Sequence, residues 1–274
     1  MSIRKALVYI LIWTPFKLLA FEGMDRVGAR SASLGGIAMI KNDVWNSIAF
    51  PALLPFHTQK RSVGLSVDNR FGVEQLNRGA LGFNWVKGKT GMGVSVQSFG
   101  NAEFALTQYA LGLGSHIAAG FSLGFTLSYA RFYAANYGLF AYPSLLLAVC
   151  IPLQHEMNMG VTFRNPFGLH AQAKERGLPS EAAASFSFSK KTSAAVQVLA
   201  EGVVSERMGT DLRLGIEYQI NPRTQFRSGC ALRNQSMSLG FTFGHAFPVL
   251  LSLSFHNRLG VSPGLDFWHV YGKQ

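Results

Sequence analysis

The sequence predicts an all-β protein: a transmembrane antiparallel β-barrel of about 14 strands. Three observations carry this. Beyond residue 60, apolar and small polar residues alternate with a period of two, the pattern of strands with two chemically different faces. The alternating runs are about 9–13 residues long, longer than the roughly 5–6 residues of a typical strand and close to the roughly 9–11 of a tilted membrane strand. Charged residues make up only 14%, with 29 Gly and 22 Phe, against about 25% charged in an average soluble protein.

The chain divides in order into a signal peptide (1–20), a segment (21–58) that a family resemblance carried by residues 26–56 implies is a lumenal plug, and the barrel (59–274). "MSIRKALVYILIWTPFKLLA" opens with Arg4 and Lys5, continues with an apolar run from Ala6 to Trp13, and reaches a small residue at Ala20. That is the layout of a secretory signal, and its apolar run is too short to span a bilayer as a helix. Fourteen strands are expected near 61–70, 75–87, 91–99, 103–114, 118–132, 140–152, 156–164, 181–190, 192–203, 209–220, 223–233, 235–246, 248–257 and 263–272. In 119–131, Phe121, Leu123, Phe125, Leu127 and Tyr129 share one face, while Gly120, Ser122, Gly124, Thr126 and Ser128 share the other. A soluble sandwich with this periodicity would carry Lys, Glu and Asp on its polar face. Here that face is mostly Ser, Gly, Thr, Asn and Gln, which suits a lumen facing away from lipid. Aromatics near the strand ends are expected to form interfacial girdles: Trp85, Phe99, Tyr109, Tyr129, Phe132, Tyr133, Tyr137, Tyr142, Tyr218, Trp268 and Tyr271.

The net charge of +11 comes from scattered Lys and Arg, with no run that would track a nucleic acid. Cys150 and Cys230 lie within apolar stretches without CxxC spacing, and the seven His are dispersed. Neither a phosphate loop nor a nucleophile elbow occurs. No catalytic residues, metal site or cofactor are therefore expected. Ser254 and His256 share a strand face, as do Asp211, Arg213 and Glu217, and these read as lumenal polar positions. The lumen ladder comprises Arg164, Glu201, Asp211, Arg213, Glu217, Arg227 and Arg233, with Arg30 and Asp43 of the plug as candidate ion-pair partners.

Residues 26–56, "RVGARSASLGGIAMIKNDVWNSIAFPALLPF", contain Gly28, Ala29, Arg30, Leu34, Gly35, Gly36, Asp43, Asn46, Pro51 and Ala52. This arrangement resembles the N-terminal signature of PorV/PorQ-like outer-membrane proteins, part of the wider FadL-type barrels, although Phe50 stands where the family usually has Asn. The C-terminal stretches "MGTDLRLGIEYQINPRTQFRSGCALRNQSMSLGFTFG" and "HNRLGVSPGLDFWHVYG" resemble the same family. The resemblance implies a plugged fourteen-strand barrel in a Bacteroidota-type outer membrane. PorV-like members serve type IX secretion. The expected function is therefore a non-enzymatic barrel acting as a subunit or cargo-handling accessory of a larger outer-membrane assembly. The alternative is a FadL-like diffusion channel for hydrophobic small molecules. Expected partners are outer-membrane lipid and a larger complex or secreted cargo, and no nucleic acid. The longest connections, 133–139 and 165–180, leave little receptor surface.

Overall fold

A computed structural model describes residues 27–117, 120–135, 137–167, 180–206, 209–244 and 247–273. The expected signal peptide, the first residues of the expected plug segment and most of the 165–180 connection lie outside them.

Fourteen strands follow one another: β1 (Gln59–Asn69), β2 (Asn77–Lys87), β3 (Thr90–Gly100), β4 (Phe104–His116), β5 (Ser122–Ala134), β6 (Gly138–Pro152) and β7 (Met157–Arg164) form one half. The other half is β8 (Ala183–Lys191), β9 (Val196–Ser205), β10 (Gly209–Asn221), β11 (Thr224–Ala231), β12 (Ser236–Phe243), β13 (Val249–His256) and β14 (Gly260–Lys273). Each pairs antiparallel with its sequence neighbours, and β1 pairs with β14 from Gln59/Lys273 to Asp68/Gly264, closing the barrel. Closure leaves no unpaired edge, which a bilayer interior requires. The count matches the sequence expectation. Boundaries shift by a few residues: β9 begins at Val196 rather than 192, and β14 at Gly260 rather than 263.

The alternation has the predicted sense. Leu65, Leu81, Phe83, Val94, Leu127 and Leu251 are exposed on the outside. Ser66, Asn84, Ser95, Gln108, Thr126 and Ser252 are buried on the inside. Among the described residues, no helix is long and apolar enough to cross a membrane; the strands do so.

Residues 27–58, before β1, lie in the lumen. They contain helix α1 (Ala29–Ser33), helix α2 (Asn46–Ala49) and a 3₁₀ helix (Pro51–Phe56). Pro51 occupies the first turn of the 3₁₀ helix, where its missing N–H costs nothing. Helices this short are not stable alone, so the wall holds them. α1 packs on β11–β14, α2 on β3–β5, and the 3₁₀ helix on β2–β6. The hydrophobic core therefore lies between plug and wall. Val44, Trp45 and Ile48 meet Ala80 and Ala110; Met39, Phe50 and Leu53 meet Ala148 and Cys150; Leu34, Ile37 and Ile40 meet Leu199. Both cysteines are free: Cys150 is buried against the plug, and Cys230 is half-buried on the outer face.

Candidate lumenal site

Two ionic clusters join plug and wall. Arg30 sets Nε 2.9 Å from Glu217 Oε1 and Nη2 3.0 Å from Oε2, while its Nη1 donates to Lys41 O at 2.8 Å. Glu217 also accepts from Arg227 Nε at 2.6 Å, and Arg227 donates further to Thr242 Oγ1 and Gln225 Oε1. Arg213 forms the second cluster. Its Nη1 lies 2.7 Å from Glu201 Oε1 and 3.0 Å from Gly36 O, and its Nε lies 2.9 Å from Asp211 Oδ2. Glu201 Oε2 accepts from Ala38 N at 2.9 Å and Ser187 Oγ at 3.0 Å. Each charge is thus met by an opposite charge and by further hydrogen bonds, as a lumen shielded from water demands.

Five ladder positions, Glu201, Asp211, Arg213, Glu217 and Arg227, meet in these clusters. Arg164 ends β7 on the lumenal face, opposite Leu146. Arg233 lies near the lumenal face, lining a cavity over α1. It lies in the β11–β12 turn, exposed, with its backbone N donating to Asp211 Oδ1 at 3.1 Å. The turn takes it beyond the last residue of β11, so strand alternation does not govern its side chain. Among the described residues Asp43 forms no ion pair; its Oδ1 accepts from Trp45 N at 3.0 Å and shapes the turn into α2.

The other signature residues hold the plug's backbone. Gly28 has φ 97°, and an added Cβ would strike the Trp45 indole. Gly35 has φ 71°, and a Cβ there would come within 2.6 Å of Cys230 O. Both positions suit only glycine. Asn46 Nδ2 donates to Ile40 O at 3.0 Å and lies 3.1 Å from His57 Nε2. Burial, with the Arg30 charge nearby, pushes His57 from 6.5 down to about 4, against a hydrogen bond to the Asp43 backbone. Neutral His57 Nε2 therefore accepts from Asn46. Pro51 and Ala52 press their backbone against Gly114 and Gly124, and Ala52 O accepts from Ser122 Oγ at 2.6 Å.

Several anchors escape the sequence reading. Asp266 of β14 accepts from Ala29 N at 2.8 Å and Trp45 Nε1 at 3.3 Å. Asn84 Nδ2 donates to Val44 O at 2.8 Å, and Thr126 Oγ1 to Ser47 O at 2.7 Å. Asp266 shares its face with Ser262 and Gly264, so strand parity marks it as lumenal.

Four expected girdle aromatics face inward instead: Phe99, Phe132, Tyr142 and Trp268. Register decides this, since Phe99 pairs with Leu106, Phe132 with Leu106 and Phe140, Tyr142 with Ala130, and Trp268 with Gly64, all lumenal positions. The first three belong to an apolar patch with Phe104, Leu106 and Phe140. Phe99–Phe104 and Phe104–Phe132 pack edge to face at 6.1 and 5.4 Å. The patch lies at the barrel end opposite the start of β1, beyond the positions where Gly112 and Gly114 meet the plug. At the same end, over α1, is a cavity of about 410 Å³.

A closed, plugged barrel with an apolar exterior defines a membrane-spanning protein of the bacterial outer-membrane class. No family model matches the chain, and no curated protein matches it in sequence. Solved structures share its fold. The Ralstonia pickettii toluene transporter TbuX superposes with a TM-score of 0.70 at 10% identity, covering 91% of this chain and 99% of that one. The monoaromatic hydrocarbon channel CymD gives 0.68 at 11%, covering 90% and 98%. A Pseudomonas aeruginosa FadL homologue gives 0.61 at 11%, covering 88% and 97%. The fold is therefore that of the FadL-type outer-membrane barrels.

Proposed function

We propose that the protein is a plug-gated channel for hydrophobic small molecules. The observation that carries this reading is the inward-facing apolar patch of Phe99, Phe104, Leu106, Phe132, Phe140 and Tyr142. A barrel that passes water-soluble solutes lines its lumen with polar groups, whereas this patch offers an apolar solute a first resting place. Structures sharing the fold are described as a toluene transporter and a monoaromatic hydrocarbon channel. In bacterial barrels the longer connections are extracellular and the turns periplasmic. The far end, with the 165–182 connection, is accordingly read as the outer mouth, and the patch lies there.

The plug bars the way below the patch, so passage requires part of it to shift. Its α1 half is fixed to β9–β11 by both ionic clusters. Against β3–β6 its α2 half and 3₁₀ helix are held by neutral hydrogen bonds and backbone packing. The second half is the part that yields at lower cost, and it lies directly under the patch. The secretion-accessory reading drawn from the PorV/PorQ resemblance has no structural counterpart among the relatives named above and is set aside.

Uptake by vesicles or cells carrying the full chain tests the reading. Toluene should enter faster than through empty membranes, glucose should not, and a Phe104→Ser/Phe132→Ser variant should lose most of the gain. Equal toluene entry with and without the protein overturns it. Co-purification with a larger barrel and uptake that does not depend on the protein would restore the accessory reading.

A further inference from the structure

The rim where β1 begins differs in charge from the opposite rim. Lys60, Arg61, Lys87, Lys89, Lys191 and Arg223 are exposed along it. Among the described residues Glu156 is the exposed carboxylate at this rim, and Lys191 Nζ already meets it at 3.4 Å. The opposite rim mixes Arg131 and Arg258 with Glu74, Glu103 and Glu206 at exposed positions. Among the described residues the excess of positive charge thus lies at one rim.

Within that rim β14, β1 and β2 build a local site on the lipid face. Strand parity turns Arg61 outward with Val63, Leu65 and Val67, and Lys87 outward with Trp85, Phe83 and Leu81. Arg61 pairs directly with Tyr271 of β14 on one side and with Trp85 of β2 on the other. Lys87 follows Trp85 on the same face, diagonal to Arg61, a spacing of about 7–8 Å that long side chains bridge. Tyr271 is itself held: its ring meets His269 edge to face at 4.1 Å, and His269 stacks on Phe247 at 4.2 Å. The outward positions of these three strands include no carboxylate among the described residues. Two cations therefore stand at the end of the apolar band, flanked by aromatic rings.

We propose that this row binds the headgroup of an anionic phospholipid in the adjoining leaflet, its phosphate on Arg61 and Lys87. The guanidinium presents a fork to two phosphate oxygens, and the ammonium supplies a further charged donor. Trp85 and Tyr271 suit the headgroup level, where the apolar ring body and its polar tip are both satisfied. A zwitterionic headgroup would bring an ammonium group to a row with no carboxylate to receive it, so a net negative headgroup is favoured. Arg61 and Lys87 face lipid and not the lumen, which favours a lipid over an acidic protein docked at the mouth.

The test uses the full chain in mild detergent, offered phosphatidylglycerol or phosphatidylethanolamine with identical chains, with retained lipid counted by native mass spectrometry. Phosphatidylglycerol should be retained about fivefold or more over phosphatidylethanolamine, the factor that one basic residue near an anionic membrane surface contributes. Arg61→Gln combined with Lys87→Gln should remove the preference. Lys191→Gln combined with Arg223→Gln takes the same charge from elsewhere on the rim and should keep it. Heat-modifiable mobility checks folding; if the Arg61/Lys87 double variant misfolds, Lys87→Gln alone is read in its place and should lower the preference. Equal retention of the two lipids by the unaltered protein overturns the proposal. So does a preference that survives the loss of Arg61 and Lys87, or one that falls as far with Lys191 and Arg223, which makes it a property of total charge. Excess inorganic phosphate should leave the lipid in place; displacement marks a soluble-anion site and also overturns the proposal. Solute uptake is not read, so the outcome is independent of the channel reading.

Discussion

Arg30 and Glu217, 187 positions apart, form a two-point fork at 2.9 and 3.0 Å between the plug and β10. Glu217 also faces Arg227, so it neutralises two guanidiniums at once. Glu217→Gln leaves both buried cations short of a counter-charge, a change that costs about 3–5 kcal/mol when a buried pair is broken. The expected result is a lowered midpoint of heat-modifiable mobility and a raised basal conductance. Arg30→Ala should raise conductance with a smaller loss of stability, because the Arg227–Glu217 pair survives.

Close approach of plug and wall gives a second expectation. A Cβ on Gly229 would collide with the Leu34 and Gly35 backbone, whereas one on Gly79 meets nothing. Gly229→Ala should therefore expose the plug to added protease while the barrel remains folded. Gly79→Ala, on the bilayer side, should leave protease resistance unchanged. If both variants behave alike, the plug does not pack as described.

His57 gives docking a pH dependence with a definite sign. Its docked value is about 4, against 6.5 when exposed, so between those values the released plug binds a proton that the docked plug does not. By linkage, the contribution of His57 to docking is fully present above about pH 6.5 and is lost as pH falls toward 4. Conductance recorded across that window should rise on acidification, and His57→Gln should flatten the rise.

Asp266 should matter more than its isolation in sequence suggests. Asp266→Ala leaves Ala29 N–H and the Trp45 indole N–H without their acceptor, at about 1–3 kcal/mol per unmet buried group. Thermal melting followed by mobility should show a clear loss, with Asp266→Asn retaining much of the stability because it keeps an acceptor oxygen.

Strand periodicity made the wall legible, because one face must satisfy lipid and the other the lumen, and a period of two records both. It also gathered Glu201, Asp211, Arg213, Glu217 and Arg227 onto the inner face. It did not say that Arg30 would choose Glu217 while Asp43 turned to its own backbone. Those choices depend on the pose of a plug whose helices of five, four and six residues carry almost no local signal. Phe99, Phe132 and Tyr142 were misplaced for another reason. Aromatics near strand ends suit an interfacial girdle and a lumenal patch equally, and only register with Leu106 and Ala130 separates the two.

The bond from Ala29 N to Asp266 spans 237 positions and ties the start of the plug to the last strand. Since β14 also pairs with β1, the barrel's final seam and the first anchor among the plug's described residues come from one element. Insertion is then a clasp that shuts around its own contents: a barrel closed early would have to reopen to admit the plug. Such long-range contacts form slowly, so Asp266→Ala should change how fast the chain folds as well as how firmly.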